Sequence, residues 1–301
     1  MFPRLMQPLV RPRPDVPASH RGRGDLVLRY EDVSQDGRLS CRAMTHGVGP
    51  ALFRDVLRKH PAAPLFAADG VVPILSRLTV HSHGGPIGVQ RPVSCEGAFA
   101  FVKTTDARER VRYRADMWVD IEGRRGFTHG PPPSDADPTL ALGTLLAEHV
   151  LTRPFGATER RQVDALPDGI VAGEARPWTA PDAVIELPSD AEWLEPEASL
   201  DPNVTRFGLG HTDSNQHVNS LVYPLMLEEA ALRRALALGD AKRSFCHFVD
   251  LAFRKPSFAG DTARVSLRAY RRAEAFGVAA TIFDPSDAGA PRTFGRLELI
   301  A

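Results

Sequence analysis

Between Gly210 and Ala230 the sequence changes character abruptly. Asp213, Asn215 and His217 stand at alternate positions in a polar stretch. From Asn219 onward the residues take up apolar helical spacing, with Leu221, Leu225, Leu232 and Leu236 on one stripe and Val222 and Met226 beside it. Only strand-like segments follow this helix, predicted over 219–238. A lone amphipathic helix beside a long antiparallel sheet poses a burial problem, because its stripe needs an apolar partner. A curved sheet wrapped around the helix solves it. That solution leaves a sheet edge open, which a second unit of the same kind would pair.

The rest of the chain supplies the strands. Residues 26–30 read as a strand, Asp36-Gly37 as a hairpin turn, and 39–44 as the returning strand. A helix is expected over 50–60, with Leu52, Phe53, Val56 and Leu57 on one face and Pro50 near its start. Strands are expected over 74–81, 88–96, 98–105 and 110–122. In the last, Val111, Tyr113, Ala115, Met117, Val119 and Ile121 alternate with Arg112, Arg114, Asp116, Trp118 and Asp120, the pattern of a half-buried antiparallel strand. The Pro-rich stretch from Gly130 marks a boundary. A short linker helix is predicted over 139–151, strands over 169–175 and 183–187, and an acidic loop over 188–203. After the 219–238 helix come strands at 245–254, 262–271, 276–284 and 293–300. Both halves thus read strand, helix, several strands, without a residue-level repeat.

With 301 residues the chain is long enough for two domains of about 120 to 150 residues. It is 43% hydrophobic and 25% charged, with 37 basic and 37 acidic side chains. A zero balance offers no electrostatic footprint for nucleic acid or an anionic membrane surface. Cys41, Cys95 and Cys246 lie far apart and form neither a metal spacing nor a disulfide framework, which fits a reducing cytoplasm. No apolar run nears the roughly 18 residues of a membrane span. Residues 1–24 carry Arg and Pro without an apolar core segment and are expected to form a flexible arm.

The polar stretch has the parts for attack on a carbonyl. An aspartate such as Asp213 can act as general base or direct nucleophile. Asn215 can orient water or substrate, and His217 can move a proton or hold the carboxylate. Asn219 suits a helix cap, and the N–H groups around Val218, Asn219 and Ser220 would face an oxyanion with the helix dipole behind them. If the segment is extended, alternation puts 213, 215 and 217 on one side. Each residue also has a plain structural reading as turn or cap. Glu228 and Glu229, inside the helix, are further carboxylates, of which one can face the site. His81 and His83 lack a third ligand nearby. Arg264, Arg268, Arg271 and Arg272 form either a solvated strand face or an anion contact.

The pattern Asp-x-Asn-x-His-Val-Asn-x-x-x-Tyr, here Asp213 to Tyr223 and running into Glu228-Glu229-Ala230, resembles the signature of hotdog-fold acyl thioesterases. The likeness is nearest to the acyl-acyl carrier protein thioesterases, in which the motif sits in the second of two tandem hotdog domains. It covers about twenty residues and places the motif two thirds of the way along the chain, as that architecture requires. The resemblance implies an α+β fold of two tandem hotdog domains, each a long helix wrapped by a curved antiparallel sheet. It divides the chain into the arm at 1–24, a motif-lacking domain at 25–130, a linker at 131–165 and the motif-bearing domain at 166–301. In the first domain Thr45-His46-Gly47-Val48-Gly49 takes the motif's place.

The same resemblance implies hydrolysis of a thioester of acyl carrier protein or coenzyme A, with Asp213, Asn215 and His217 as site residues and neither metal nor cofactor. It also implies a catalytic glutamate on the following strand. Here Ala252 stands at that position, and Asp250, two residues earlier on the same strand face, is the substitute candidate; Glu229 is a second. Two other outcomes stay open: a non-catalytic acyl-binding protein, and a hotdog dehydratase or acyl transferase of fatty-acid or polyketide metabolism. Pairing of such chains into a homodimer is compatible with the fold.

Overall fold

The computed structural model describes residues 9–106, 108–173, 175–240, 245–287 and 289–300. The first half holds β1 (Arg21–Leu26), β2 (Val72–Ser82), β3 (Val93–Thr105), β4 (Val111–Arg124) and β5 (Thr139–Thr152). Two-residue strands follow, β6 (Arg176–Pro177) and β7 (Glu192–Trp193). The second half holds β8 (Ser199–Arg206), β9 (Phe245–Phe253), β10 (Thr262–Arg272), β11 (Ala275–Phe283) and β12 (Pro291–Ile300). Read outward from the middle of the sheet, the orders are β2-β5-β4-β3-β1 and β9-β12-β11-β10-β8, so the two halves mirror each other strand for strand. Antiparallel pairing of β2 with β9, Arg77 opposite Ala252 and Thr79 opposite Asp250, joins them into one sheet.

The helices lie on one face. In the second half this is α3 (Val222–Ala237), preceded in the chain by α1 (Cys41–Met44) and α2 (Ala62–Ala68). The expected helix is present, but its buried face is not the leucine stripe. Tyr223, Met226, Leu227, Ala230, Ala231 and Ala235 are buried, while Leu225, Leu232 and Leu236 are 40%, 42% and 60% exposed. Alanines admit a close approach, and opposite them β12 presents Gly295, where a side chain would collide with Leu227 and Leu251. Burying Met226 and Leu227 stabilises this contact by roughly 1.5–3 kcal/mol each.

No single long helix stands in the first half. The predicted 50–60 helix is a chain of short turns: α1, a 3-10 turn (Thr45–Gly47), a π-helical turn (Gly49–Phe53), a second 3-10 turn (Leu57–Lys59) and α2. Pro50 lacks the N–H for a regular ladder. The segment also lies directly on β1, where any side chain at Gly22 or Gly24 would strike the backbone of 50–51.

The predicted linker helix at 139–151 is instead β5, a central strand between β4 and β2. Leu142, Leu145, Ala147 and Leu151 face the main core and Leu146 packs with Trp118 on the other face. A strand buried on both sides loses the period-two signal, and its Leu, Ala and Glu content mimics a helix. The 131–165 segment is therefore largely part of the first half's sheet.

Other elements move. The strand expected at 26–30 is displaced to β1, and 39–44 forms α1, whose N-cap Ser40 accepts from the Ala43 N–H at 3.1 Å. The strands at 88–96 and 98–105 are one, β3. Among the described residues no strand lies in 169–175, and 183–185 belong to a 3-10 turn (Pro181–Ile185) that Pro181 opens. The acidic stretch at 188–203 contains β7 and the start of β8.

The arm is also corrected: residues 1–8 lie outside the described residues, but from residue 9 the chain packs on the outer face of the sheet and continues into β1. Val10 is buried with Trp118, whose Nε1 donates to the Arg11 carbonyl at 3.0 Å. Beneath it the polar face of β4 is closed off, with Asp116 fully buried and Arg114 8% exposed. Arg11 and Arg114 reach Asp116 at 2.5 and 2.9 Å and Glu148 at 3.2 and 2.8 Å. These pairings allow the charges on β4 to be buried.

Candidate active site

The motif forms a tight loop, not an extended strand. Thr212 and Val218 bridge antiparallel, the Asp213 N–H donates to the His217 carbonyl at 3.2 Å, and the Gln216 N–H donates to the Asp213 carbonyl at 2.9 Å. Gln216 turns the chain with φ of 67°. The expectation of three side chains on one face is thereby corrected. Asp213 and His217 flank the base of the loop, half-buried, and Asn215 sits exposed at its tip. His217 packs edge-on against Phe258 at 6.0 Å between ring centroids.

The Asp213 carboxylate is held from both sides. Its Oδ1 accepts the Asn215 N–H at 2.8 Å and its Oδ2 accepts from Asn219 Nδ2 at 3.3 Å. Asn215 thus orients the acid through its backbone. Asn219 does two jobs: besides Asp213, its Oδ1 accepts the Leu221 N–H at 2.9 Å, an Asx-type turn leading into α3.

The proposed oxyanion donors divide. The Val218 N–H donates to the Ser257 carbonyl and the Asn219 N–H to the His211 carbonyl, both at 2.8 Å, so neither is available. The Ser220 N–H donates to no described group.

The strand and helix carboxylates stand elsewhere. Asp250 is 2% exposed on the sheet face opposite α3, since its neighbours Val249 and Leu251 fill the main core. Arg77 binds it through two nitrogens at 2.9 and 2.7 Å, and Thr79 Oγ1 donates at 3.1 Å. Buried and engaged this way, Asp250 is a structural anion in the β2–β9 seam. Ala252, on the same face, packs with Val184 and Phe294. Glu229 points to solvent, with Arg233 of its own helix at 3.8 Å. Its neighbour Glu228 is half-buried, and burial raises its pKa above the ordinary value, countered by Arg42 of α1.

The histidine pair meets a third imidazole, and three of the β10 arginines are engaged within the fold. His81 and His83 have ring centroids 5.0 Å apart, and His81 also meets His247 at 5.7 Å. Burial, then the neighbouring imidazoles, push His81 down to about 4. Arg268 covers Trp193 at 4.0 Å, Arg271 pairs with Asp240, and Arg272 pairs with Asp190 at 3.0 Å.

A feature that sequence reading missed is a second copy of the loop. The segment from Tyr30 to Ser40 repeats that from Leu209 to Asn219 residue for residue. A 3-10 turn opens each, Val33 bridges Leu39 as Thr212 bridges Val218, and Gly37 turns at φ of 85° where Gln216 turns at 67°. The motif's counterpart in the first half is therefore Ser34, Asp36 and Arg38, not the 45–49 stretch. A shared spacing of polar residues before a helix start was the available signal.

No family model matches the sequence, and no curated protein matches it. Solved structures do. A protein described as an oleoyl thioesterase from Lactobacillus plantarum superposes with a TM-score of 0.61 at 14% identity, covering 93% of this chain and 95% of that one. An acyl-ACP thioesterase from Bacteroides thetaiotaomicron gives 0.54 at 14% identity, covering 94% and 98%. The 12:0-ACP thioesterase from Umbellularia californica gives 0.51 at 13% identity, covering 95% and 98%. At such identities the likeness is one of fold, and along nearly its whole length this chain has the hotdog fold of those acyl thioesterases.

Proposed function

We propose that the protein hydrolyses acyl thioesters carried on acyl carrier protein or coenzyme A, with its centre at the loop that opens α3. The observation that carries this reading is the held carboxylate of Asp213, placed at the start of the long helix in a fold shared end to end with thioesterases. The two mirrored strand sets are read as tandem hotdog units, the first reaching through β5 and the second formed by β8 to β12. Only the second retains a long helix.

In this mechanism Asp213 takes a proton from water as the oxygen attacks the thioester carbonyl, or attacks the carbonyl itself, expelling the thiolate and giving a mixed anhydride that water then hydrolyses. The Asn215 N–H and Asn219 side chain hold the carboxylate in place. His217 stands at the other side of the loop base and hands a proton to the departing sulfur. Ser220 N–H, backed by the α3 dipole, meets the oxyanion. Asp250 and Glu229 have no part in the chemistry.

The test is free-thiol release over acyl-coenzyme A and acyl-carrier-protein panels, for the native chain beside Asp213→Ala. Loss of turnover in a folded variant is the expected result. Equal turnover in both would place the chemistry elsewhere. Acyl binding without turnover in either would make the protein an acyl-binding module, and dehydration of 3-hydroxyacyl substrates would make it a dehydratase.

A further inference from the structure

On the sheet face opposite α3, where β4 and β5 meet the β2–β9 seam, lies a cleft of about 260 Å³. Arg77, Arg112, Arg114, Glu148, Trp178 and Arg254 line it. It is separated from the Asp213 loop by the thickness of the sheet.

The charges of this region do not balance. Asp116 and Glu148 are matched by Arg11 and Arg114, and Asp250 by Arg77. Among the described residues neither Arg112 nor Arg254 has a carboxylate in ion-pair range. Arg112 lies over Trp178 at 5.5 Å and Arg254 over Phe294 at 5.9 Å. Arg112 Nε is shut off from solvent, so a ligand in the cleft would be met by the terminal nitrogens of Arg112 and Arg254.

Two cations without a carboxylate partner among the described residues and an aromatic wall in one cleft point to an anionic ligand. The planar fork of guanidinium matches the oxygens of phosphate better than a point charge does. The volume is below the range of drug-sized pockets and suits a small ligand or a single head group. We propose that this cleft binds a small phosphate-bearing anion, with Arg112 and Arg254 as its principal ligands. Glu148 does not oppose it, because Arg11 and Arg114 already neutralise that carboxylate.

The test is calorimetric titration of the full chain with inorganic phosphate, diphosphate and phosphoethanolamine at constant ionic strength, with chloride as control. Arg112→Gln and Arg254→Gln are compared with Arg58→Gln, an exposed site in the other layer, after each fold is verified by circular dichroism. Saturable binding that weakens about tenfold or more in each cleft variant and not in Arg58→Gln is expected. Tighter binding of phosphoethanolamine than of phosphate would identify a phosphorylated metabolite; equal binding would identify phosphate itself. No saturable binding of any of the three, or affinity unchanged in both cleft variants, overturns the proposal.

Discussion

The loops Tyr30–Ser40 and Leu209–Asn219 hold the same backbone with different side chains. In one, the Ser34 N–H donates to the Arg38 carbonyl at 2.8 Å, Gly37 to Ser34 at 2.9 Å and Ser40 to Asp32 at 2.9 Å. In the other, Asp213 donates to His217 at 3.2 Å, Gln216 to Asp213 at 2.9 Å and Asn219 to His211 at 2.8 Å. The frame is set by turn geometry and tolerates any residue that fits it. What differs is where the polar groups point their bonds. Arg38 pairs with Asp36 at 3.1 Å and covers Phe245 at 4.4 Å, so the first loop ties the halves together. The second loop holds a carboxylate between two donors and leaves His217 with only an aromatic neighbour. One backbone device thus serves cohesion in one half and, on our reading, chemistry in the other.

The sharpest way to break this comparison is to remove the acid from each loop. Asp213→Ala is expected to lower kcat/KM for thioester hydrolysis by about 10²-fold or more, and Asp36→Ala to leave it within about twofold, because on our reading only the former touches substrate. Similar losses in both, measured by thiol release on folded protein, would mean that the two loops share the work.

Next in size is the seam between the halves. Asp250→Ala strands Arg77 in a buried site and is expected to cost about 3–5 kcal/mol in a denaturant titration. Arg77→Met with Asp250→Leu should recover much of this, because the isosteric apolar pair strands no charge. Catalytic constants of whatever protein remains folded should not change. A fall in kcat without loss of stability would return Asp250 to the active site.

The smallest effects are on pH dependence, and they run in opposite directions in the two halves. In the first half, burial pushes His149 of β5 down to about 4 from an ordinary 6.5. Its contribution to stability is full above the ordinary value and is lost as pH falls from there towards 4. His81, also depressed to about 4, adds to the same limb. In the second half, Glu228 is raised above its ordinary 4.5. Its contribution is full below that value and declines as pH rises through the raised pKa. His149→Leu should flatten the acid limb of unfolding free energy against pH, and Glu228→Gln the limb above 4.5. Unchanged slopes would show that these groups titrate alike folded and unfolded.

Legibility followed how sharply the two faces of an element differ in polarity. The strand alternation of 110–122 was readable because its inner residues are uniformly apolar and its outer ones mostly charged, though the outer face gave no hint that Arg11 would arrive to cover it. Strand β5 was unreadable because leucines stand on both of its buried faces. The α3 stripe misled because size was mistaken for burial: Ala230, Ala231 and Ala235 permit close packing, whereas Leu232 and Leu236 face water. Of the proposed site, the sequence groups Asp213, Asn215, His217 and Asn219 in one segment but does not show their bonding, since an alternating string predicts an extended strand and Gln216 at positive φ folds it back. The paired loop escaped notice because Tyr30–Ser40 and Leu209–Asn219 are identical at no position, so that only the spacing of their polar residues hinted at the match the backbone makes plain.

The β2–β9 pairing makes each half the other's missing edge. Cleaved within 153–198, either fragment would carry an open strand, β2 or β9, with every outward N–H and C=O unanswered. Each fragment would also expose one partner of the buried pair between Arg77 and Asp250. Mixed, the two pieces have complementary charge along these edges, whereas a fragment meeting its own copy sets Arg77 against Arg77 or Asp250 against Asp250. The central ion pair is therefore a lock and key within one polypeptide, favouring the union of unlike halves over the self-association of like ones.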